Sequence, residues 1–203
     1  MNILAIDTSQ NYTSLALKTV QGTWINHNLA PQKQAQDAFE DINKLTGQAN
    51  ILLKNLNLLC FGHGPGSFTG IRIACSLVQA FGFSLNCPVI GVSCLEAIAL
   101  DAFVKGQHKK VLAYVDARMD EFYWGLYEWK SNAMILANQE RCSGPLQTII
   151  ETHSEYFPYQ GQVFANRILE LGLIQYHKQP KCVLNLALPH YIRNLVTHSS
   201  QNK

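Results

Sequence analysis

Apolar positions open the chain as a short unbroken run, Ile3-Leu4-Ala5-Ile6, that stops on Asp7. A polar Thr8-Ser9-Gln10-Asn11 stretch follows, and strand-like composition returns over Tyr12–Lys18 and over Val20–His27 around a Gln21-Gly22 turn. Short β-rich runs bounded by turn residues predict an antiparallel meander with Asp7–Asn11 as its first hairpin tip. From Pro31 to Leu58 the period is helical but broken. Ala35, Ala38, Phe39 and Ile42 recur at helical spacing, Gly47 interrupts, and Ile51, Leu52, Asn55 and Leu56 resume. Leu58–Phe61 predicts a buried strand running into Gly62-His63-Gly64-Pro65-Gly66-Ser67-Phe68-Thr69-Gly70. Four glycines and a proline within nine residues predict a loop that turns tightly or lies against something close.

The next helix keeps Ile71, Ala74, Cys75, Val78, Phe81 and Leu85 on one stripe, with Thr69 as the predicted cap. Its small residues Ala74, Ser76, Ala80 and Gly82 would let another helix approach closely. Asn86-Cys87-Pro88 ends it, Val89–Val92 reads as a buried strand, and Ser93-x-x-Glu96 as a capping box opening a second helix. After a basic turn at Lys105–Lys110, Val111–Asp116 repeats the design of Ile3–Asp7, and Arg118-Met119-Asp120 turns into an aromatic-rich strand, Glu121–Trp129. Two strand–Asp–turn–strand units predict a duplicated α/β architecture. Beyond Ala133 the signals thin: short helices over Leu146–Glu151 and Ile168–Leu173, a strand over Gln162–Ala165, and an extended segment at Leu188–Arg193.

A chain of 203 residues, 47% hydrophobic and 15% charged, can bury a real core as one large domain or two small ones. Its apolar runs, such as Leu58–Phe61, fall far short of the ~18–20 residues of a membrane span, which excludes a transmembrane reading. No cationic start followed by an apolar stretch marks a secretory leader, so the cytoplasm is the expected compartment. A net charge of +2 does not by itself indicate nucleic-acid binding. After Glu170, however, the chain has no acid but carries Lys178, Lys181, Arg193 and Lys203, either a basic edge for phosphate or an ordinary solvated tail. The six cysteines form no C-x-x-C pair, which favours core packing over zinc.

The glycine loop carries the most informative chemistry. Backbone N–H groups at a helix N-terminus attract anions, which makes Asp7, Gly64, Gly66, Ser67, Thr69 and Gly70 a candidate nucleotide or phosphate site. No Gly-Lys-Ser/Thr follows, so it is not a P-loop, and a purely structural loop remains the alternative. Asp7 and Asp116 either hold a metal-bound nucleotide or cap their own turns; the second reading is favoured, with no other carboxylate or lysine nearby in sequence. Ser67 is out of register for G-x-S-x-G, and the histidines form no H-E-x-x-H, which disfavours serine hydrolase and metallopeptidase chemistry.

Together, Ile3-Leu4-Ala5-Ile6-Asp7-Thr8-Ser9, Gly64-Pro65-Gly66-Ser67-Phe68-Thr69-Gly70-Ile71-Arg72, Pro88-Val89-Ile90-Gly91-Val92-Ser93, Val115-Asp116-Ala117-Arg118-Met119 and Glu121-x-Tyr123-Trp124 closely resemble the TsaB family, also called YeaZ. The match runs to about Trp129 and is thinner afterwards, resting on Tyr191-Ile192-Arg193-Asn194. The resemblance implies an actin-like (ASKHA, ribonuclease H-like) fold of duplicated α/β lobes, here expected over 1–104 and 105–203. It implies a part in making N6-threonylcarbamoyladenosine beside the tRNA anticodon, as a non-catalytic subunit with no metal or cofactor of its own. TsaD would be its heterodimer partner, TsaE would complete a ternary complex, tRNA would be met only through the complex, and the chain alone could form a homodimer. The catalytic paralogues hold metal with a histidine pair on an early helix, whereas Pro31–Gln36 has none and Gln34 stands where many family members keep one. The segment from Ala133 is shorter than usual for the family. The expected partner surface is the helix after the glycine loop with the one before it, through Ala35, Ala38, Ile71, Ala74, Cys75, Val78 and Gly82, the alternative being that the small residues only pack this helix onto its own sheet, while Arg72 anchors the loop through carbonyls or a carboxylate. The rival is a stand-alone actin-like small-molecule kinase or ATP-binding enzyme.

Overall fold

A computed structural model describes residues 1–29, 34–178 and 187–192. Pro31, Lys181, Cys182, Arg193, Asn194 and Lys203, and with them most of the basic tail, lie outside the described residues. The meander forms as β1 (Ile3–Asp7), β2 (Tyr12–Lys18) and β3 (Thr23–Leu29), followed by α1 (Gln34–Gln48), β4 (Leu58–Gly64), α2 (Phe68–Leu85), β5 (Val89–Ser93) and α3 (Cys94–Gly106). The second half comprises β6 (Lys110–Arg118), β7 (Glu121–Lys130), β8 (Ala133–Leu136), β9 (Arg141–Ser143), α4 (Leu146–Thr152), β10 (Phe157–Gln160) and α5 (Ala165–Lys178).

The two sheets share one topology. The first has the order β3-β2-β1-β4-β5, the second β10-β6-β7-β8 with β9 also paired to β7. In each, an aspartate-containing strand (β1, β6) pairs antiparallel with the next strand and parallel with a later one (β4, β10). This is the predicted duplication. β1 shows no polar alternation because both of its faces are covered. Ile3 and Ala5 face the core under α3 and α5, whereas Leu4 and Ile6 face the core under α1 and α2. The expected break at residue 104 falls inside α3, which packs on β6 and β7. α5 returns to the first sheet, so close that a Cβ at Gly172 would stand 2.4 Å from Cys60 Sγ.

Several local expectations change. Gly47 does not break α1: it lies one residue before the helix end, where lacking a side chain costs only about 1 kcal/mol relative to Ala. Ser67, not Thr69, caps α2, since Ser67 keeps non-helical backbone angles and its Oγ accepts from Gly70 N, while Thr69 is already the second helical residue. The strand expected over 162–165 is absent, and β10 precedes it. Val163 N–H donates to Gln10 Oε1 and Ala165 N–H to Ser14 Oγ, so side chains of the first hairpin take the hydrogen bonds a ladder would need. Arg72, Ser76 and Gln79 punctuate α2, so no apolar run marks it. Its 18 residues nevertheless average a hydropathy of 1.3, enough to cross a membrane by length and composition alone, which qualifies the exclusion drawn from runs. One face of α2 is taken up by the sheet.

Candidate functional site

The tip of β1 is built inward. Asp7 is 1% exposed. Its Oδ1 accepts from the N–H and hydroxyl of Ser9, at 3.1 and 2.9 Å, and its Oδ2 from the Cys94 thiol at 3.5 Å. Gly62 lies directly against it; a Cβ there would sit 1.9 Å from Oδ2. Burial pushes this carboxyl up to about 7, against the lowering pull of the Ser9 donors. Asp7 therefore joins β1, β4 and the start of α3.

The glycine loop is laid onto that tip. Ser67 N–H donates to Ser9 O at 2.7 Å, and Thr8 Oγ1 donates to Gly70 O at 2.6 Å. A Cβ at Gly66 would come within 2.5 Å of Ser9 O, and one at Gly70 within 1.8 Å of Thr8 O. Gly64 alone in the loop has a backbone angle, φ +112°, that side chains rarely adopt. The N–H groups of Ser67, Gly70 and Ile71 are spent on Ser9 O, Ser67 Oγ and Ser67 O. The glycines thus serve close backbone approach.

A cleft of about 770 Å³ opens between this loop and the second hairpin, with Gly66, Ser67 and Thr69 on one wall and Asp116 and Arg118 on the other. Asp7, Gly64 and Gly70 are buried outside that lining. Asp116, by contrast, is exposed and caps its own turn, accepting from Arg118 N at 2.6 Å. Arg118, Met119 and Asp120 run consecutively through the left-handed region, with φ of 64°, 54° and 56°.

Residues 187–192 cross the start of α2 as a strap. His190 N–H donates to His63 O at 2.7 Å, and Ala187 N–H to Gln79 Oε1 at 2.8 Å. Among the described residues Arg72 has neither a carboxylate nor a carbonyl partner. Its Nε donates to the Tyr191 hydroxyl at 2.9 Å, and its guanidinium lies 3.7 Å over the Phe68 ring, which itself stacks on Tyr191. No local sequence signal joins residues 119 positions apart.

The expected partner residues are only partly on the surface. Ala35 is exposed, but Ala38, Ile71, Ala74, Cys75 and Val78 are buried, Ala74 at 0%. Gly82 is packed so tightly that a Cβ would meet Val89 Cγ2 at 2.5 Å. The apolar stripe is the face that covers this chain's own sheet, so these positions cannot touch a partner. The outward face of α2 carries instead Arg72, Ser76, Ala80 and Phe83, the last 82% exposed. On α1, Phe39 is exposed and stacks on Phe81 at 6.2 Å.

Residues 28–150 match the family model described as TsaD, tRNA N6-adenosine threonylcarbamoyltransferase. The Escherichia coli protein called tRNA threonylcarbamoyladenosine biosynthesis protein TsaB is 36% identical over 134 residues, 66% of this chain and 58% of that protein. Its namesake in Haemophilus influenzae is 37% identical over 125 residues, covering 61% and 52%. The match therefore spans little more than half the length of these curated relatives. Two solved structures from Pseudomonas aeruginosa are similar over nearly the whole chain. YeaZ superposes with a TM-score of 0.81 at 29% identity, covering 94% of this chain and 99% of that one. A protein described as similar to peptidase YeaZ gives 0.85 at 29% identity, covering 95% and 99%.

Proposed function

This chain belongs to the TsaD-like family, in its TsaB/YeaZ branch, and we propose that it works there as a non-catalytic partner subunit. In this reading it pairs with TsaD, is joined by TsaE, and supports threonylcarbamoyl transfer to the adenosine beside the tRNA anticodon, in the cytoplasm, meeting tRNA only through the complex. The observation that carries it is the outward face of α1 and α2, where Phe39 and Phe83 are exposed and Ser76 and Ala80 leave room for a helix to approach. A paralogue of the same fold presents the same helix pair, so the contact is a pseudo-twofold one, and two copies of this chain can use it when the paralogue is missing. The inward-turned Asp7, and a loop whose Ser67, Gly70 and Ile71 N–H groups bond within the chain, favour structural work over chemistry.

The test is co-purification with TsaD from the same cell. Ala80→Glu places a charge at the centre of the face and weakens binding by about 100-fold or more while the melting temperature stays at the wild-type value. Undiminished binding overturns the surface. The cleft favours a second reading, a stand-alone kinase or ATP-binding enzyme. ATP turnover by the isolated chain that disappears in Asp116→Ala would carry that one.

A further inference from the structure

Arg72 is the only lysine or arginine of α2 and of the strap, and neither segment carries an acid. Its guanidinium is nonetheless held in place. Nε donates to the Tyr191 hydroxyl, the guanidinium carbon lies over the Phe68 ring, and the Phe68 and Tyr191 rings stack with centroids 5.6 Å apart. Tyr191 is itself fixed from both sides along the strap. Ala187 is buried in the core under α1 and α2, His190 N–H donates to His63 O of β4, and Ile192 packs on the core under α3 and α5.

An arginine clamped in this way has its Nε–H engaged and both Nη groups left over. Every Asp and Glu of the chain belongs to the described residues, and Arg72 forms an ion pair with none of them. Arg72 is exposed, and so are Phe68 at 56% and Tyr191 at 45%. The charge therefore stands, ordered and unpaired, in an open aromatic patch. Ordering a long side chain in advance lowers the entropy lost on binding, and arginine with aromatic rings is the composition of interface anchors. Ser76, Ala80 and Phe83 continue from Arg72 at helical spacing, so the patch is one end of the outward face of α2. A nucleic-acid backbone calls for several cations in a row, whereas α2 and the strap supply one. A carboxylate, by contrast, is held as a fork by two Nη donors.

We propose that Arg72 is the anchor of the partner face: it receives a carboxylate side chain of the partner subunit between its Nη groups, with Phe68 and Tyr191 holding it ready. This rests on reading the outer face of α2 as the surface that pairs with TsaD, and it adds the strap to that surface and a negative charge to what the partner presents.

The affinity of the full chain for TsaD from the same cell, by surface plasmon resonance, tests it. Arg72→Gln weakens binding by about tenfold or more, and Arg72→Lys regains only part of the loss, since an ammonium keeps the charge without the fork. Circular dichroism checks that each variant is folded. Tyr191→Phe removes one hydroxyl and weakens binding severalfold in the wild-type chain, but no further once Arg72→Gln is present. A merely structural role for Tyr191 would give the same loss in both backgrounds. Charge reversal identifies the other half of the contact: Arg72→Glu abolishes binding, and one Asp-to-Lys or Glu-to-Lys change in TsaD restores it. Wild-type affinity in Arg72→Gln, while Ala80→Glu loses binding, overturns the anchor and leaves the partner face standing; undiminished binding by Ala80→Glu overturns both. Additive losses for Tyr191→Phe and Arg72→Gln, or failure of every reversal, also contradict the proposal. So does an Arg72→Gln chain that loses tRNA binding with its TsaD affinity intact, which marks a phosphate contact instead.

Discussion

The two hairpin tips are the same motif in two environments. Each is a buried strand reaching an aspartate, then a turn, then an antiparallel return strand. At the first tip the glycine loop and Cys94 close over Asp7, and the carboxyl becomes part of the core. At the second, Asp116 stays in solvent and only caps its turn, at the edge of the cleft. The segment that follows each tip's parallel neighbour explains the contrast. Beyond β4 the chain is glycine-rich and can lie on the tip, whereas beyond β10 it is Gly161-Gln162, held by Gln10 through Gly161 O. What a repeated aspartate does is therefore decided by what packs on it.

Widening the glycine loop breaks this contrast most severely. Gly70→Val drives a side chain into Thr8 O, and we expect a loss of about 4 kcal/mol or more, read as failure to accumulate folded protein or a collapse of the urea midpoint. The matching change at the second tip, Gly161→Ala, meets the Tyr159 ring edge at 2.8 Å and costs about 1–3 kcal/mol. Equal effects would mean that the two tips are equally closed.

An effect of comparable size comes from pH. Asp7 titrates near 7 in the folded chain against 3.8 when free. Between those values the folded state keeps a proton that the unfolded state releases, so stability falls as pH rises through the window and levels off above about 7. The contribution is roughly 4 kcal/mol. Glu96, also raised to about 7, adds a slope of the same sign. Asp7→Asn keeps the acceptor for Ser9 and should remove about half of the fall, seen in melts of wild type and variant across the same buffers. An unchanged profile would place the Asp7 carboxyl in solvent.

Capping gives a finer comparison. Ser67→Ala should cost about 1 kcal/mol and Thr69→Ala clearly less, because only Ser67 Oγ accepts from Gly70 N. The reverse order in chemical melts would return the cap to Thr69. Smallest of all is Asp116→Asn at the exposed tip, which retains a capping acceptor and should stay within about 0.5 kcal/mol of wild type.

The hairpins, the glycine loop and the order of α2, β5 and α3 were legible because each rests on local periodicity or turn chemistry. The short strands β8 and β9 were not, being three or four residues with no clean alternation. The apolar stripe of α2 is legible as a stripe, but of its two readings, a partner face or packing on its own sheet, the structure favours the second. A helix on a sheet spends its best stripe on that sheet, so its partner face has to be sought opposite, at Ser76, Ala80 and Phe83. Glu140 sits in a polar Asn138-Gln139-Glu140-Arg141 run that reads as a loop, and only the fold brings it to Ser93 and Tyr127. The same holds for Arg72 and Tyr191. Contacts between distant segments leave no trace in spacing.

The most direct measurement is threonylcarbamoyladenosine formed on tRNA, by nucleoside mass spectrometry, when variants of this chain are combined with TsaD and TsaE from the same cell. Asp116→Ala should support wild-type formation and Ala80→Glu almost none. Full product with Ala80→Glu, or loss of product with Asp116→Ala while TsaD binding persists, would contradict a subunit that acts through its outer helices.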